Sequence, residues 1–562
     1  MPAGAERRRG PAALRGAATA VGALVAAPVL TVCAAVLAPE GGETWRHLAS
    51  TVLPDYVAST AWLCLAVGMG TTVVGTGTAW LVTMHEFPGR RAFEWALVMP
   101  LAFPAYVLAY AYTDLLQFSG PVQGWLRAAG WERPLPDVRS LGGAAAMFVA
   151  VLYPYVYLLA RSAFLEHASG TTEVARSLGL GPWPAFLRVS LPLARPAVAA
   201  GAGLALMETL ADYGTVAYFG VQTFTTGIYR AWFSLGDRVA SAQLATALLG
   251  AVLLLLALER LGRGRARFHD ATGRRRPGSP GRLRGWRAAG AAAACGLPLA
   301  VGFAVPAAVL LRLALAHAGT LPPGRFLRLA GNSFSLAAVT ALLAVALSLL
   351  LAYAARASRS RWAAALNRVA GLGYATPGSV IAVGVLVPVT RLDAWLAGAI
   401  EGATGARPGL VLTGGIAALV YAYLVRFLAV SLHAVEAALA RITPRMDDAA
   451  RSLGAGPGET LRRVHAPLLR RGLLTAALLV FVDVMKELPA TLVMRPFDFD
   501  TLATTVFALA SDERLGEAAG AALAIVAAGL VPLVIVSRQI ARERRPAGAA
   551  QGAPALGAVE VP

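Results

Sequence analysis

One polar pattern occurs twice in this chain, far apart. Glu173-Val-Ala-Arg-Ser-Leu-Gly-Leu-Gly-Pro is matched by Asp448-Ala-Ala-Arg-Ser-Leu-Gly-Ala-Gly-Pro. Both copies pass through arginine-bearing stretches, Leu187-Arg188-Val189 and Arg462-Arg463-Val464, to Pro192 and Pro467. The offset is the same from Gly179 to Gly454, from Arg188 to Arg463 and from Pro192 to Pro467. It is read as continuing at Asp212 to Glu487 and Phe224 to Phe499. A register held this long means one unit used twice, so the chain must fold as two copies of one architecture. Each polar copy lies between long apolar runs, and such a duplicated loop reads as a docking surface for a soluble partner.

The 562 residues are 57% hydrophobic and only 14% charged, too apolar for a soluble protein of this length. The net charge of +19 comes from arginines in short loops between apolar runs. That distribution belongs to a membrane protein with positive charge on the cytoplasmic side, not to a nucleic-acid-binding face. The three cysteines, Cys33, Cys64 and Cys295, lie inside apolar runs without metal-like spacing. The seven histidines are scattered and form no metal-hydrolase pair.

About 20 apolar residues cross a bilayer as a helix. On that scale the sequence predicts an all-α membrane protein of about twelve transmembrane helices, in two parallel six-span repeats. The first six fall near 16–38, 57–84, 92–116, 141–161, 196–218 and 240–261. The second six fall near 288–316, 334–355, 364–390, 409–431, 472–494 and 517–537. The run after Arg7-Arg8-Arg9 is longer than a signal-peptide core and is read as a retained first span. Arginine-rich connections alternate with arginine-poor ones, so both termini and both repeated loops are expected in the cytoplasm. The organisation expected is a first unit at 1–262 with its polar loop at 167–195, and a second at 288–540 with its loop at 441–471. Between them, a basic cytoplasmic linker at 263–287 carries nine arginines against Asp270. An Ala/Gly/Pro-rich tail at 541–562 is expected to be disordered.

Within each polar loop the spacing predicts a short helix, a turn at glycine, and a second helix opened by proline. Gly179 and Gly454 supply the turns, and Pro192 and Pro467 are expected to stop the second helices. An apolar edge would fill a groove, while arginines such as Arg188 and Arg463 would meet an acidic rim.

At these residues the chain resembles the inner-membrane permeases of bacterial ABC importers, whose cytoplasmic loop carries Glu-Ala-Ala, a glycine and a later Leu-Pro. The departures are Val174 for Ala, Asp448 for Glu, and Ala466-Pro467 where the first copy has Leu191-Pro192. The resemblance implies that these loops couple to an ATPase through Glu173, Ala175, Gly179, Arg188 and Pro192, and through Asp448, Ala450, Gly454, Arg463 and Pro467. It covers nearly the whole chain as a fusion of two permease units. The words Glu208-Thr-Leu-Ala-Asp-Tyr-Gly and Met485-Lys-Glu-Leu-Pro-Ala-Thr further resemble fused ferric-iron permeases, as do those beginning at Phe224 and Phe499. Related permeases for thiamine, polyamine or phosphonate are the alternatives.

The sole lysine, Lys486, lies in Met-Lys-Glu-Leu-Pro, so no phosphate-binding Gly-x-x-x-x-Gly-Lys loop can be built. No cofactor is expected on this chain. The implied partners are two copies of an ABC ATPase subunit that holds the ATP, a periplasmic substrate-binding protein and the lipid bilayer of a bacterial inner membrane, with no nucleic acid. A transport permease, not an enzyme, is expected. An ion-gradient-driven carrier is the rival class, and the duplicated docking loop argues against it. Each half also carries intramembrane acids four residues apart, Glu208 with Asp212 and Asp483 with Glu487, the latter pair beside Lys486. That spacing puts each pair on one helix face. Such carboxylates are costly unless they face a cavity or a partner. They are expected to line a substrate path between the halves, with helix breaks at Gly214 and Pro489 exposing carbonyls; whether they hold a metal is left open.

Overall fold

The structure is a computed structural model that describes residues 3–34, 42–131, 133–177, 179, 181–263, 281–358 and 361–543. Most of the expected linker, 264–280, and of the tail, 544–562, lies outside the described residues. The fold is helical almost throughout. Its one pair of short strands among the described residues joins His85–Glu86 in parallel to Gly281–Arg282, clamping the end of the linker to the end of the second span.

Among the described residues, ten helices are individually long and apolar enough to cross a membrane. In the first half they are Gly16–Ala34, Leu53–Met84, Leu141–Glu166, Trp183–Ala211 and Arg238–Glu259. In the second they are Trp286–Ala316, Pro323–Arg356, Gly378–Thr404, Ala417–Ala440 and Leu515–Val534. The span expected near 92–116 is a pair, Arg90–Ala102 and Ala105–Ala128, bent by 92°. Pro104 stands between them with ψ 140°, an extended conformation that no helix can pass through. The span expected near 472–494 is helical over Ala466–Met485, with Arg470, Arg471 and Asp483 in its sequence, and breaks before Pro489–Met494. Residues 364–371, expected inside a span, belong instead to a separate amphipathic helix, Arg361–Gly371, and the membrane helix begins at Gly378.

The same three-helix core is built twice. Leu53–Met84, Leu141–Ser177 and Leu191–Ala211 pack on one another, as do Pro323–Ser358, Ala417–Ala440 and Ala466–Met485. The leading helix of each half crosses to the other half. Ala3–Ala34 lies against Gly378–Thr404, Pro323–Ser358 and Arg361–Gly371, and Trp286–Leu299 lies against Leu53–Met84. Close backbone approach makes the first crossing possible, since a Cβ on Gly384 would collide with the carbonyl oxygen of Pro28.

Beyond the acids the repeat register shifts. In the first copy the helix Phe224–Tyr229 is opened by a capping box of Thr223 and Thr226. In the second, the matching box is Thr501 with Thr504, opening Leu502–Ser511. Phe224 is therefore not the spatial counterpart of Phe499, because the loop leading to the box is longer in the second copy.

Candidate functional site

The two polar loops differ more than their sequences suggest. In the second copy Thr443-Pro444 opens a separate helix, Pro444–Ser452, with proline in its first turn. In the first copy Ala168 and Ser169 stand at those positions, and the helix Leu141–Ser177 continues without a break. Glu173 and Ala175 lie on its last turns, and the side chains of 167–178 lie outside the described residues.

The glycine turns form as expected. Gly179 has φ 69° and Gly454 has φ 83°, the left-handed region that favours glycine. At Gly454 the amide donates to the Arg451 carbonyl at 3.0 Å, and the Ala455 amide to Ala450 at 3.0 Å. That is a Schellman closure, which satisfies the helix's last carbonyls. Ala450 is buried, while Asp448 is exposed and ion-paired with Arg451. Arg463 pairs with Glu459 at 2.8 Å, and Arg188 is exposed. Trp183, Leu187, Met446 and Leu453 present apolar surface around the two turns, with Leu453 87% exposed.

The prolines do not stop the second helices. Pro182–Ala185 runs through a wide turn, Phe186–Ser190, into Leu191–Ala211, and Pro457–Thr460 does the same through Leu461–His465 into Ala466–Met485. In each wide turn the bond steps back five residues, Leu191 to Phe186 and Ala466 to Leu461. The bulge shifts the hydrogen-bond register just before Pro192 and Pro467, so each helix accommodates a residue that lacks an amide donor. The polar turn and the intramembrane acids are therefore two ends of one rod.

The sequence also conceals a clasp on the second copy. Asp447 accepts from Arg356 Nε at 2.9 Å and from His465 Nε2 at 2.7 Å. Arg356 also donates to the Leu439 and Ile442 carbonyls at 2.9 and 2.8 Å. His465 is fully buried with its ring against Tyr353. Partial burial works to raise the Asp447 carboxyl, but the bonds from Arg356 and His465 outweigh it and hold the group below its ordinary value.

At the far end of the rods the four acids come together. Glu208, Asp212, Asp483 and Glu487 all line one cavity of about 90 Å³ between the halves, together with Arg426, Lys486, Tyr106 and Tyr155. The expected one-face pairing is corrected. The first helix ends at Ala211 and Asp212 is already extended, with ψ 137°. The second ends at Met485, with Lys486 as its cap. Asp212 turns forward and accepts the Thr215 amide at 2.8 Å and its hydroxyl at 3.1 Å. Glu487 likewise accepts the Ala490 and Thr491 amides at 2.9 and 3.1 Å and the Thr491 hydroxyl at 2.7 Å. Both acids cap the short helices Gly214–Tyr218 and Pro489–Met494, where free amides attract negative charge. Three carbonyls beside the breaks, where the sequence reading expects carbonyls exposed to the cavity, accept side-chain hydrogen bonds. Thr225 donates to the Asp212 carbonyl at 2.9 Å, Thr491 to that of Glu487 at 2.9 Å, and Tyr229 to that of Pro489.

Partners from the second half meet the remaining charges, one of them across the junction. Lys486 pairs with Asp483 at 3.0 Å, and Arg426 with Glu487 at 3.4 Å. The Tyr374 hydroxyl donates to Glu208 at 2.7 Å across the junction. Tyr106 is buried, and its hydroxyl has no hydrogen-bond partner among the described residues. Sequence reading missed Arg426, although a lone arginine inside the apolar run 417–440 was signal enough. Tyr374 and Tyr106 carried no signal, because their role depends on packing across the halves. Among the described residues no three His, Cys, Asp or Glu side chains form a group able to hold a metal ion.

Residues 71–261 and 344–545 each match the binding-protein-dependent transport system inner membrane component family. The chain belongs to that family. It is the multi-pass membrane permease component of an ABC importer, with the family unit present twice, and its relatives are transport permeases, not enzymes. The permease is 24% identical over 490 residues to the Fe(3+)-transport system permease protein FbpB 2 of Haemophilus influenzae, covering 86% of this chain and 90% of that protein. It is 28% identical over 193 residues to the sulfate transport system permease protein CysT of Escherichia coli, covering 33% of this chain and 67% of that protein. With CysW of the same organism it is 32% identical over 144 residues, covering 26% of this chain and 48% of that protein.

Proposed function

We propose that this permease imports ferric iron, delivered by a periplasmic binding protein and driven by two copies of a separate ATPase subunit. The charge of the central cavity carries the cargo assignment: four carboxylates, two from each half, face two cations. Hard trivalent iron prefers such oxygen ligands, whereas an excess of carboxylate repels a dianion such as sulfate. Arg426 and Lys486 do not reverse this, because each is already paired with an acid. The end-to-end match to a protein named as an Fe(3+) permease supports the same reading. Acids that line the cavity without forming a chelate suit a path, where cargo must leave as readily as it enters. Thiamine and polyamine are cations that this charge would also tolerate.

The working cycle follows from the rods. The exposed apolar residues at the Gly179 and Gly454 turns dock on the two ATPase subunits, which bind the ATP; this chain carries no cofactor. Closure of those subunits draws the turns together, and each stiff helix carries the movement to the acids at its other end. The units are 1–262 and 288–540, in an inner membrane, with both termini and the 263–287 linker cytoplasmic. The test is uptake in a deletion strain carrying this chain on a plasmid, with radiolabelled ferric iron, sulfate, thiamine and polyamine compared. The expected result is loss of iron uptake on deletion and its return with the plasmid, sulfate uptake being unchanged. Loss and return of sulfate uptake alone would overturn the assignment.

A further inference from the structure

Two cavities meet at one tyrosine. Besides the acidic cavity, a larger one of about 960 Å³ opens between the halves, lined by Leu204 and Met207 of the first and by His433 and Glu436 of the second. It lies on the side of the polar turns. Leu204 and Met207 precede Glu208 on the rod that begins at Trp183, and Glu436 is near the end of Ala417–Ala440 that leads into Pro444–Ser452. Tyr374 lines this larger cavity, while its hydroxyl is bound to Glu208, which lines the acidic one.

We propose that Tyr374 is the inner gate of the permease, its ring and its bond to Glu208 closing the acidic cavity toward the vestibule. The bond joins the halves at the point where the drive movement arrives. Glu208 rides on the continuous helix Trp183–Ala211, which starts at the first polar turn. Tyr374 stands on the tight turn Leu372–Ala375, which belongs to the second half. That turn is packed closely on the second half: a Cβ on its Gly373 would collide with the Val425 carbonyl oxygen, one residue before Arg426. A bond of 2.7 Å is lost once the oxygens separate by more than roughly half an ångström beyond contact. A small shift of the rod against this turn therefore opens the gate, and opening also frees the Glu208 carboxylate toward the vestibule. The assignment rests on the path proposed above but not on which cargo uses it.

The test reads access and needs no cargo. In the full-length chain with Cys33, Cys64 and Cys295 replaced by serine, Val151→Cys puts a thiol in the acidic cavity and Leu204→Cys one in the vestibule. Vesicles exposing the side of the polar turns are treated with a membrane-impermeant cationic methanethiosulfonate. With Tyr374 present, the thiol at 151 should react at least about tenfold more slowly than the thiol at 204. Tyr374→Phe, which keeps the ring and loses only the bond to Glu208, should speed labelling at 151 by about tenfold, the equivalent of one charge-assisted hydrogen bond. Tyr374→Ala should bring it close to the rate at 204. Rapid labelling at 151 in the Tyr374 parent would overturn the gate, and so would an unchanged rate in Tyr374→Ala while position 204 still labels normally. Equal rates in Tyr374→Phe and the parent would refute the role of the Glu208 bond.

Discussion

Arg426→Met is the most direct probe of how the intramembrane charges are balanced. The Arg426 and Glu487 side chains are 9% and 2% exposed, and their charged atoms lie 3.4 Å apart. At that separation and an effective dielectric of about 20, the attraction is about 5 kcal/mol. Removing one partner of a buried pair costs about 3–5 kcal/mol, because the other charge is left unmatched. Methionine fills much of the same volume, so lost packing contributes little. The acids remaining around the cavity would face Lys486 alone. Unfolding in detergent should show Arg426→Met strongly destabilised. Adding Glu487→Gln should return part of the loss, because glutamine carries no charge to leave unmatched and still offers one oxygen where Glu487 gives two, one to the Ala490 amide and one to the Thr491 amide. The two substitutions must therefore be non-additive, by about 1.5 kcal/mol or more. Strictly additive effects, or a single variant as stable as the parent, would refute the argument that this pair is balanced as a unit.

Gly454→Val forces a β-branched residue to φ 83° where a Cβ meets nothing within 4 Å, so its main cost is backbone strain of about 1 kcal/mol or more; membrane insertion should persist while uptake falls, and normal uptake would refute the role of the turn. The control Gly456→Ala, which meets nothing within 4 Å and has no left-handed φ, should behave as the parent. Asp447 has a depressed carboxyl, so its contribution to stability is full above the ordinary value near 4 and is lost as pH falls through the folded value. Between pH 5 and 3 the thermal midpoint of the parent should therefore fall more steeply than that of Asp447→Asn, and parallel profiles would refute the clasp.

Part of the site was legible because membrane physics makes charge conspicuous. Glu208, Asp212, Asp483, Lys486 and Glu487 stood out in apolar runs, and all five line one cavity. Their local geometry was misread, because four-residue spacing implies one helix face only while the helix lasts. Here the helices end at Ala211 and Met485, and Asp212 and Glu487 become caps of the next elements. Pro192 and Pro467 were misread as stops because a wide turn is not visible in residue types alone.

What the sequence determined by itself was whatever depends on near neighbours or on solvent. Runs of about 20 apolar residues require membrane helices, Gly179 and Gly454 require left-handed turns, and the repeated register requires two like units. The tertiary structure alone decided what depends on distant residues meeting. It brought Tyr374 to Glu208, Arg426 to Glu487, and Arg356 and His465 to Asp447, and it crossed the leading helix of each half onto the other. Hydropathy says that a segment is buried, but not which partner buries it. That choice is made by side-chain shape and by the few places, such as Gly384 against Pro28, where backbones can touch.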